Sequence, residues 1–317
     1  MSPLRLVFFG TSNFAVPVLE VLLKYPKLFE VVLVVSQASK PVGRTQAVTP
    51  SPLTKFAQSQ SLTIVTPLKI KTDDFVKTLN SLSADLFVVA AYGKILSKQI
   101  LDLPKFGALN LHGSLLPKYR GATPIQTALV NQELQTGVTL MLMDEELDHG
   151  PILAATMTTV DAQETFSTLE NKLAKLAGPL LIDNIEAYVK GGLKPQAQNH
   201  HQATFTKVLD RADGEIKWLE VTALALEAKL RAYNPWPGLW TTINKDGRSL
   251  RLKILVLSLV SAPVATPGLV AVGSAGFIVG TKSGAVQLDL VQVEGKKPIS
   301  GQDFMMGYST LVGQTFH

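Results

Sequence analysis

The first third of the chain repeats one pattern, and that pattern restricts the fold more than any other feature. Short apolar runs at residues 4–9, 31–35, 62–65, 86–91 and 108–111 are each followed by a polar break. Runs of this length suit strands buried on both faces of a parallel sheet and are too short for core helices. Residues 14–23 carry apolar side chains at helical spacing, with Ser12 or Asn13 as the expected N-cap. Residues 73–82 read as a crossover helix. Repeated strand–helix units imply right-handed crossovers, a Rossmann-like, mostly parallel sheet, and a cleft outside the strands' C-terminal ends.

The last of these strands runs into GALNLHGSLLPKYRG, residues 107–121. Asn110 and His112 lie two residues apart, so on a strand both side chains share one face. An amide beside an imidazole can hold a developing oxyanion and move a proton. Alone, an Asn-x-His pair could equally close off backbone groups at a strand end. Here Gly113 and Ser114 follow, then the apolar turn Leu115-Leu116-Pro117, which suits a flat ligand and favours a site.

Several chemistries are excluded. Gly10-Thr11-Ser12 stands where a dinucleotide enzyme would carry G-x-G-x-x-G. No G-x-S-x-G surrounds Ser12 or Ser114, which argues against a hydrolase nucleophile elbow. Asp148 and His149 are adjacent, and no H-x-x-x-H or cysteine cluster joins them, so no metal is expected. With no cysteine, disulfides and thiolate chemistry are out.

A chain of 317 residues at 46% hydrophobic content can bury the cores of two domains. Phe166, Leu169, Leu173, Leu176 and Leu180 step by three or four residues, marking a long amphipathic helix that closes the first domain. Residues 190–204, rich in glycine, proline and glutamine, read as a linker between domains at 1–189 and 205–317. His200 and His201 within it are expected in solvent. After a helix at 221–230, strand-like runs at 239–243, 250–259, 268–272, 277–279 and 286–293 suggest a small OB-like β-barrel. NPWPG, residues 234–238, is taken as a rigid hinge that places Trp236 in the core.

The net charge of +5 is modest, but its distribution is uneven. Residues 31–72 contain no Asp or Glu and five cations, Lys40, Arg44, Lys55, Lys69 and Lys71. Lys245, Arg248, Arg251 and Lys253 form a second basic run broken only by Asp246. Such stretches make phosphate contacts without reading bases. No apolar run reaches the ~18–20 residues of a membrane helix. MSPLRLVFFGTSN reads as a strand, not a targeting segment, so a cytoplasmic protein is expected. A monomer is expected as well.

NLHGSLLPKYRG, followed by TGVTLMLMDEELDHGPIL, resembles the signature of 10-formyltetrahydrofolate-dependent formyltransferases. The resemblance implies catalysis by Asn110, His112 and the Asp of ELDHG, Asp148, and a folate pocket at Ser114, Leu115, Leu116 and Pro117. GTSNFAVPVL, SQASKPVGRTQAVTPSP and RAYNPWPG are similar to the branch that formylates methionyl-tRNA, from residue 4 to about residue 308. It implies tetrahydrofolate as product, no metal, and tRNA contacts at Lys40, Arg44, Lys245 and Arg248. Thr45-Gln46-Ala47-Val48 follow Arg44 where family members carry further lysines. Formylation of a UDP-amino sugar, or a non-catalytic tRNA- or folate-binding role on the same scaffold, are the alternatives. Loss of the Asn, His or Asp would mark the latter, and all three are present.

Overall fold

The computed structural model describes residues 2–42, 47–261 and 266–316, grouped into two compact units. The first holds β1 (Leu4–Gly10), α1 (Ala15–Leu23), β2 (Phe29–Val35), β3 (Lys40–Val42), β4 (Ala47–Thr49), α2 (Pro52–Ser59), β5 (Ile64–Val65), α3 (Asp73–Ser81), β6 (Leu86–Ala90), α4 (Lys98–Leu101), β7 (Ala108–His112) and β8 (Arg120–Gly121). After α5 (Pro124–Val130), most of which belongs to the second unit, the first continues with β9 (Gln135–Leu142), β10 (Ile152–Thr159), nearly all of the long α6 (Phe166–Val189) and β11 (Phe205–Thr206).

Seven strands form the main sheet in the order β10-β9-β7-β6-β1-β2-β5. The five from β5 to β7 run parallel, and β9 and β10 extend the sheet antiparallel. Strand order reverses at β1, which lies between β2 and β6. That is where an open α/β sheet leaves a crevice. Every residue of β6 and β7 is buried, as expected of strands covered on both faces. The edge strand β10 alternates half-buried with exposed positions along most of its length.

Local boundaries differ from the sequence reading for identifiable reasons. The α1 N-cap is Phe14, without a side-chain cap, and Ser12 Oγ instead accepts from the Phe14 amide at 3.2 Å. Pro17 sits in the first turn, where its missing N–H has no helical partner to lose. Helix α2 has no counterpart in the sequence reading, although Ser51 caps it through the Thr54 amide and Pro52 occupies its first turn.

Glu170 of α6 is 8% exposed and takes hydrogen bonds from Ser12, the Phe14 amide and Asn13. Burial pushes its carboxyl above the ordinary value of 4.5, and the hydrogen bonds oppose that shift. The folded protein therefore holds this proton more tightly than the unfolded chain, so the associated stability is present at acid pH and lost as pH rises through the folded pKa. The Tm advantage of wild type over Glu170→Gln is expected to shrink as pH is raised from about 4 to 8. A Tm difference constant across that range would refute the linkage.

Residues 190–204, expected as a linker, belong to the first unit and are fastened along it. Gln196 and Ile152 exchange backbone hydrogen bonds of 2.8 Å each. The Thr204 hydroxyl accepts from the Tyr119 amide at 2.8 Å, and the first unit continues to Lys207.

The second unit contains α7 (Ala223–Tyr233), β12 (Leu239–Lys245), β13 (Arg248–Val260), β14 (Val270–Val272), β15 (Phe277–Gly280), β16 (Ala285–Val293), β17 (Ile299–Ser300) and α8 (Gly301–Gly307). Its antiparallel sheet, in the order β12-β13-β16-β15-β14 with β17 on β16, is the OB-like architecture expected. Leu252, Ile254, Phe277 and Val279 are buried in its core, where Phe277 and Phe304 meet edge to face at 5.4 Å. Trp236 departs from expectation and is 56% exposed. Tyr233 and Leu239 on either side are buried, and the Gly238 amide closes the turn onto the Tyr233 carbonyl at 2.8 Å. The indole is thereby left at the tip.

Candidate active site

Strand β7 delivers Asn110 and His112 to the C-terminal end of the parallel strands, both buried, at 8% and 6% exposure. Across from them, the loop after β9 turns sharply enough to place Asp148 in the left-handed region, φ 48°. The three side chains meet. Asn110 Nδ2 donates to Asp148 Oδ1 at 3.3 Å, and His112 Nδ1 lies 3.6 Å from Asp148 Oδ2. That same oxygen accepts from the Gly121 amide at 2.7 Å. Gly121 has φ 114°, and a Cβ there would stand 2.6 Å from the Thr206 carbonyl oxygen, so only glycine fits.

The tautomer of His112 follows from its other nitrogen. Nε2 is 2.9 Å from the Tyr119 carbonyl, which can only accept, so Nε2 carries a proton. The working edge of the ring is Nδ1, facing Asp148. A proton on Nδ1 makes the ring cationic with Asp148 as counter-ion. Without it, Nδ1 is a base.

The turn from Ser114 to Pro117 is pinned to β9. Thr139 Oγ1 donates to the Ser114 carbonyl at 2.7 Å and accepts from the Leu116 amide at 3.0 Å. Ser114 itself is fully buried, its hydroxyl donating to the Lys118 carbonyl at 2.6 Å. Ser114 thus shapes the turn, while Leu115 and Pro117 keep partly accessible surface.

Two residues that the sequence reading did not single out complete the surroundings. Gln198 Nε2 donates to the carbonyls of Asp148 and Gly150 at 2.9 and 2.7 Å. Arg120 is 3% exposed and donates to Gln198 Oε1 through Nε and Nη2 at 3.2 and 2.8 Å. The RG ending of the motif and one of three glutamines in a polar stretch were the only signals. His200, expected free in solvent, has an exposed face but stacks on His149 at 4.1 Å and 6°. Among the described residues no group of three His, Cys, Asp or Glu is placed to hold a metal ion, and no helix is long and apolar enough to cross a membrane.

Of the basic residues, Lys40 lies on β3 and Arg44 falls outside the described residues. Arg248 is exposed at the start of β13. Lys245 points its ammonium at the Gly307 carbonyl, 3.0 Å, over the Tyr308 ring at 4.0 Å. Arg251 lies over Trp240 at 4.4 Å, and Lys253, two residues on, is exposed.

Residues 4–185 match the formyl transferase family and residues 208–309 its C-terminal domain. The methionyl-tRNA formyltransferase of Desulfotalea psychrophila is 39% identical over 304 residues, covering 96% of this chain and 93% of that protein. That of Myxococcus xanthus is 38% identical over 314 residues, covering 99% and 98%. Among solved structures, the sugar 3N-formyl transferase WlaRD superposes with a TM-score of 0.62 at 20% identity, covering 94% of this chain and all of that one. An N-formyltransferase from Helicobacter canadensis gives 0.61 at 18%, covering 90% and 99%. At these identities the two structures share the fold alone. Nearly end-to-end similarity at close to two-fifths identity shows that the chain belongs to the methionyl-tRNA formyltransferase family.

Proposed function

We propose that the chain transfers a formyl group from 10-formyltetrahydrofolate to the α-amino group of methionyl-tRNA. The observation that carries this reading is the convergence of Asn110, His112 and Asp148 at the sheet's C-terminal edge, in a chain of this family. WlaRD was crystallised in the presence of 5-N-formyl-THF, which supports a folate-derived donor.

The uncharged amine attacks the formyl carbon and gives a tetrahedral oxyanion. The Asn110 amide has a second N–H to offer it, and His112 can donate from Nδ1 when doubly protonated. As the intermediate collapses, the bond from carbon to the folate N10 breaks. The proton lost by the attacking nitrogen ends on N10, and Asp148 with His112 Nδ1 provides its route. Neither a covalent enzyme intermediate nor a metal is needed for this balance.

Leu115, Leu116 and Pro117 would form the wall against the flat donor, with Ser114 holding the turn's shape. Leu116→Trp is expected to raise KM for 10-formyltetrahydrofolate several-fold while KM for methionyl-tRNA stays put. Equal weakening of both would indicate general unfolding. Exposed cations, Arg248 and Lys253 on β13 and Lys55, Lys69 and Lys71 in the acid-free segment, would meet tRNA phosphates along with Lys40, Arg44 and Lys245. Arg248→Ala with Lys253→Ala should reduce the salt slope of methionyl-tRNA binding by ~0.7–0.9 per lost contact. An unaltered slope would remove this strand from the interface.

The deciding experiment offers purified protein 10-formyltetrahydrofolate with methionyl-tRNA and a UDP-amino sugar in parallel. Formylated methionyl-tRNA is the expected product. Formylation of the sugar alone would overturn the assignment.

A further inference from the structure

Asp148 needs help to stay where it is. A non-glycine residue at φ 48° is disfavoured, and such a conformation persists only where its surroundings impose it. Its carboxylate is held by Asn110, Gly121 and His112, but those contacts act at the end of the side chain and leave the backbone carbonyls of the loop to be held separately.

The backbone restraint comes from Gln198, which is 6% exposed and lies in the polar stretch that follows α6 in the first unit. Its amide orientation is fixed by chemistry, since a guanidinium only donates and a carbonyl only accepts. Oε1 must therefore face Arg120, and Nε2 must face the carbonyls of Asp148 and Gly150. One amide group thus grips the loop on both sides of His149.

His149 is itself held from two directions. Its ring stacks on His200, and its Nδ1 is 2.6 Å from Asp144 Oδ2. Arg120 ties the cluster together, since its Nη2 also reaches His200 Nδ1 at 2.8 Å.

We propose that Gln198, locked in place by Arg120, is the positioning residue that holds the Asp148 carboxylate against Asn110 and His112. It touches no substrate and acts only through Asp148, so the inference rests on the reading of Asp148 as part of the site. Small displacements matter here. A misplacement of about 1 Å in a catalytic group can cost ~10² in rate.

The test uses full-length protein carrying Gln198→Glu, Arg120→Lys or Asp148→Asn. Glutamate keeps the shape of Gln198 and its acceptor for Arg120, but sets an oxygen against two carbonyls that accept. Gln198→Glu is expected to lower kcat by ~10–100-fold. KM for 10-formyltetrahydrofolate should stay within about twofold, and the pH profile of kcat should change shape, which a merely structural role would not produce. Arg120→Lys keeps the charge, loses the fork, and should lower kcat in the same way. It carries the test if the glutamate variant does not fold. Wild-type kcat and pH profile in a folded Gln198→Glu or Arg120→Lys protein, beside an impaired Asp148→Asn, would overturn the positioning role. A fully active Asp148→Asn would instead overturn the reading of the site itself.

Discussion

Asn110→Ala, His112→Ala and Asp148→Ala are each expected to cut formyl transfer by ~10²–10³ in kcat, the cost of removing one transition-state donor or its support. The three effects should not add. Asn110 donates to the carboxylate that faces His112, so the groups form one unit. The Asn110→Ala/Asp148→Ala double variant should therefore be little worse than the poorer single one. Folding has to be controlled for His112, because its removal takes away a hydrogen bond to the buried Tyr119 carbonyl. Asp148→Asn is the gentler probe, since it preserves volume. Circular dichroism and Tm establish that each variant is folded before turnover is compared. Near wild-type turnover in all three folded alanine variants would remove the site.

The parallel sheet was legible because its strands are buried on both faces, which writes unbroken apolar runs such as LVFF and LFVVAA into the sequence. The pairing of Asn110 with His112 was legible for a similar reason, the two-residue period of a strand. The edge strand β10 was not, because Ala154, Thr156 and Thr158 leave no clear apolar alternation. Asp148 was reached through the resemblance, with its apolar flanks, Leu147 before it and Pro151-Ile152-Leu153 after it, as the one local sign among the carboxylates of DEELDHG. The contacts that hold it come from Gly121 and Gln198, which are 27 and 50 residues away in sequence. Gln198 illustrates the limit best. In a stretch without apolar period it reads as solvated linker, yet its amide satisfies two carbonyls of the loop that carries Asp148. Trp236 shows the opposite error, a large aromatic assumed buried when its neighbours Tyr233 and Leu239 fill the core instead.

Gly150→Ala is expected to be nearly as damaging as loss of Asp148, though it removes no functional group. A Cβ at position 150 would collide with the Leu142 carbonyl oxygen and stand 3.3 Å from the Asp144 amide. Both are backbone atoms, and Leu142 is held by β9 and by the Pro151 carbonyl, which accepts from its amide at 2.9 Å. No side chain can swing away, so the loop itself has to move. Overpacking of this kind costs ~1–3 kcal/mol, and each kcal/mol lowers Tm by ~2–4 °C in a domain of this size. The effect on turnover should exceed the effect on stability, because the segment that shifts carries Asp148 and both of the carbonyls gripped by Gln198. A loss of ~10² in kcat is expected from a displacement of about 1 Å. Gly307→Ala is the control, since a Cβ there meets nothing within 4 Å, and its turnover should match wild type. A Gly150→Ala protein with wild-type Tm and wild-type kcat would mean that the loop has slack, and that Asp148 does not depend on its backbone for position.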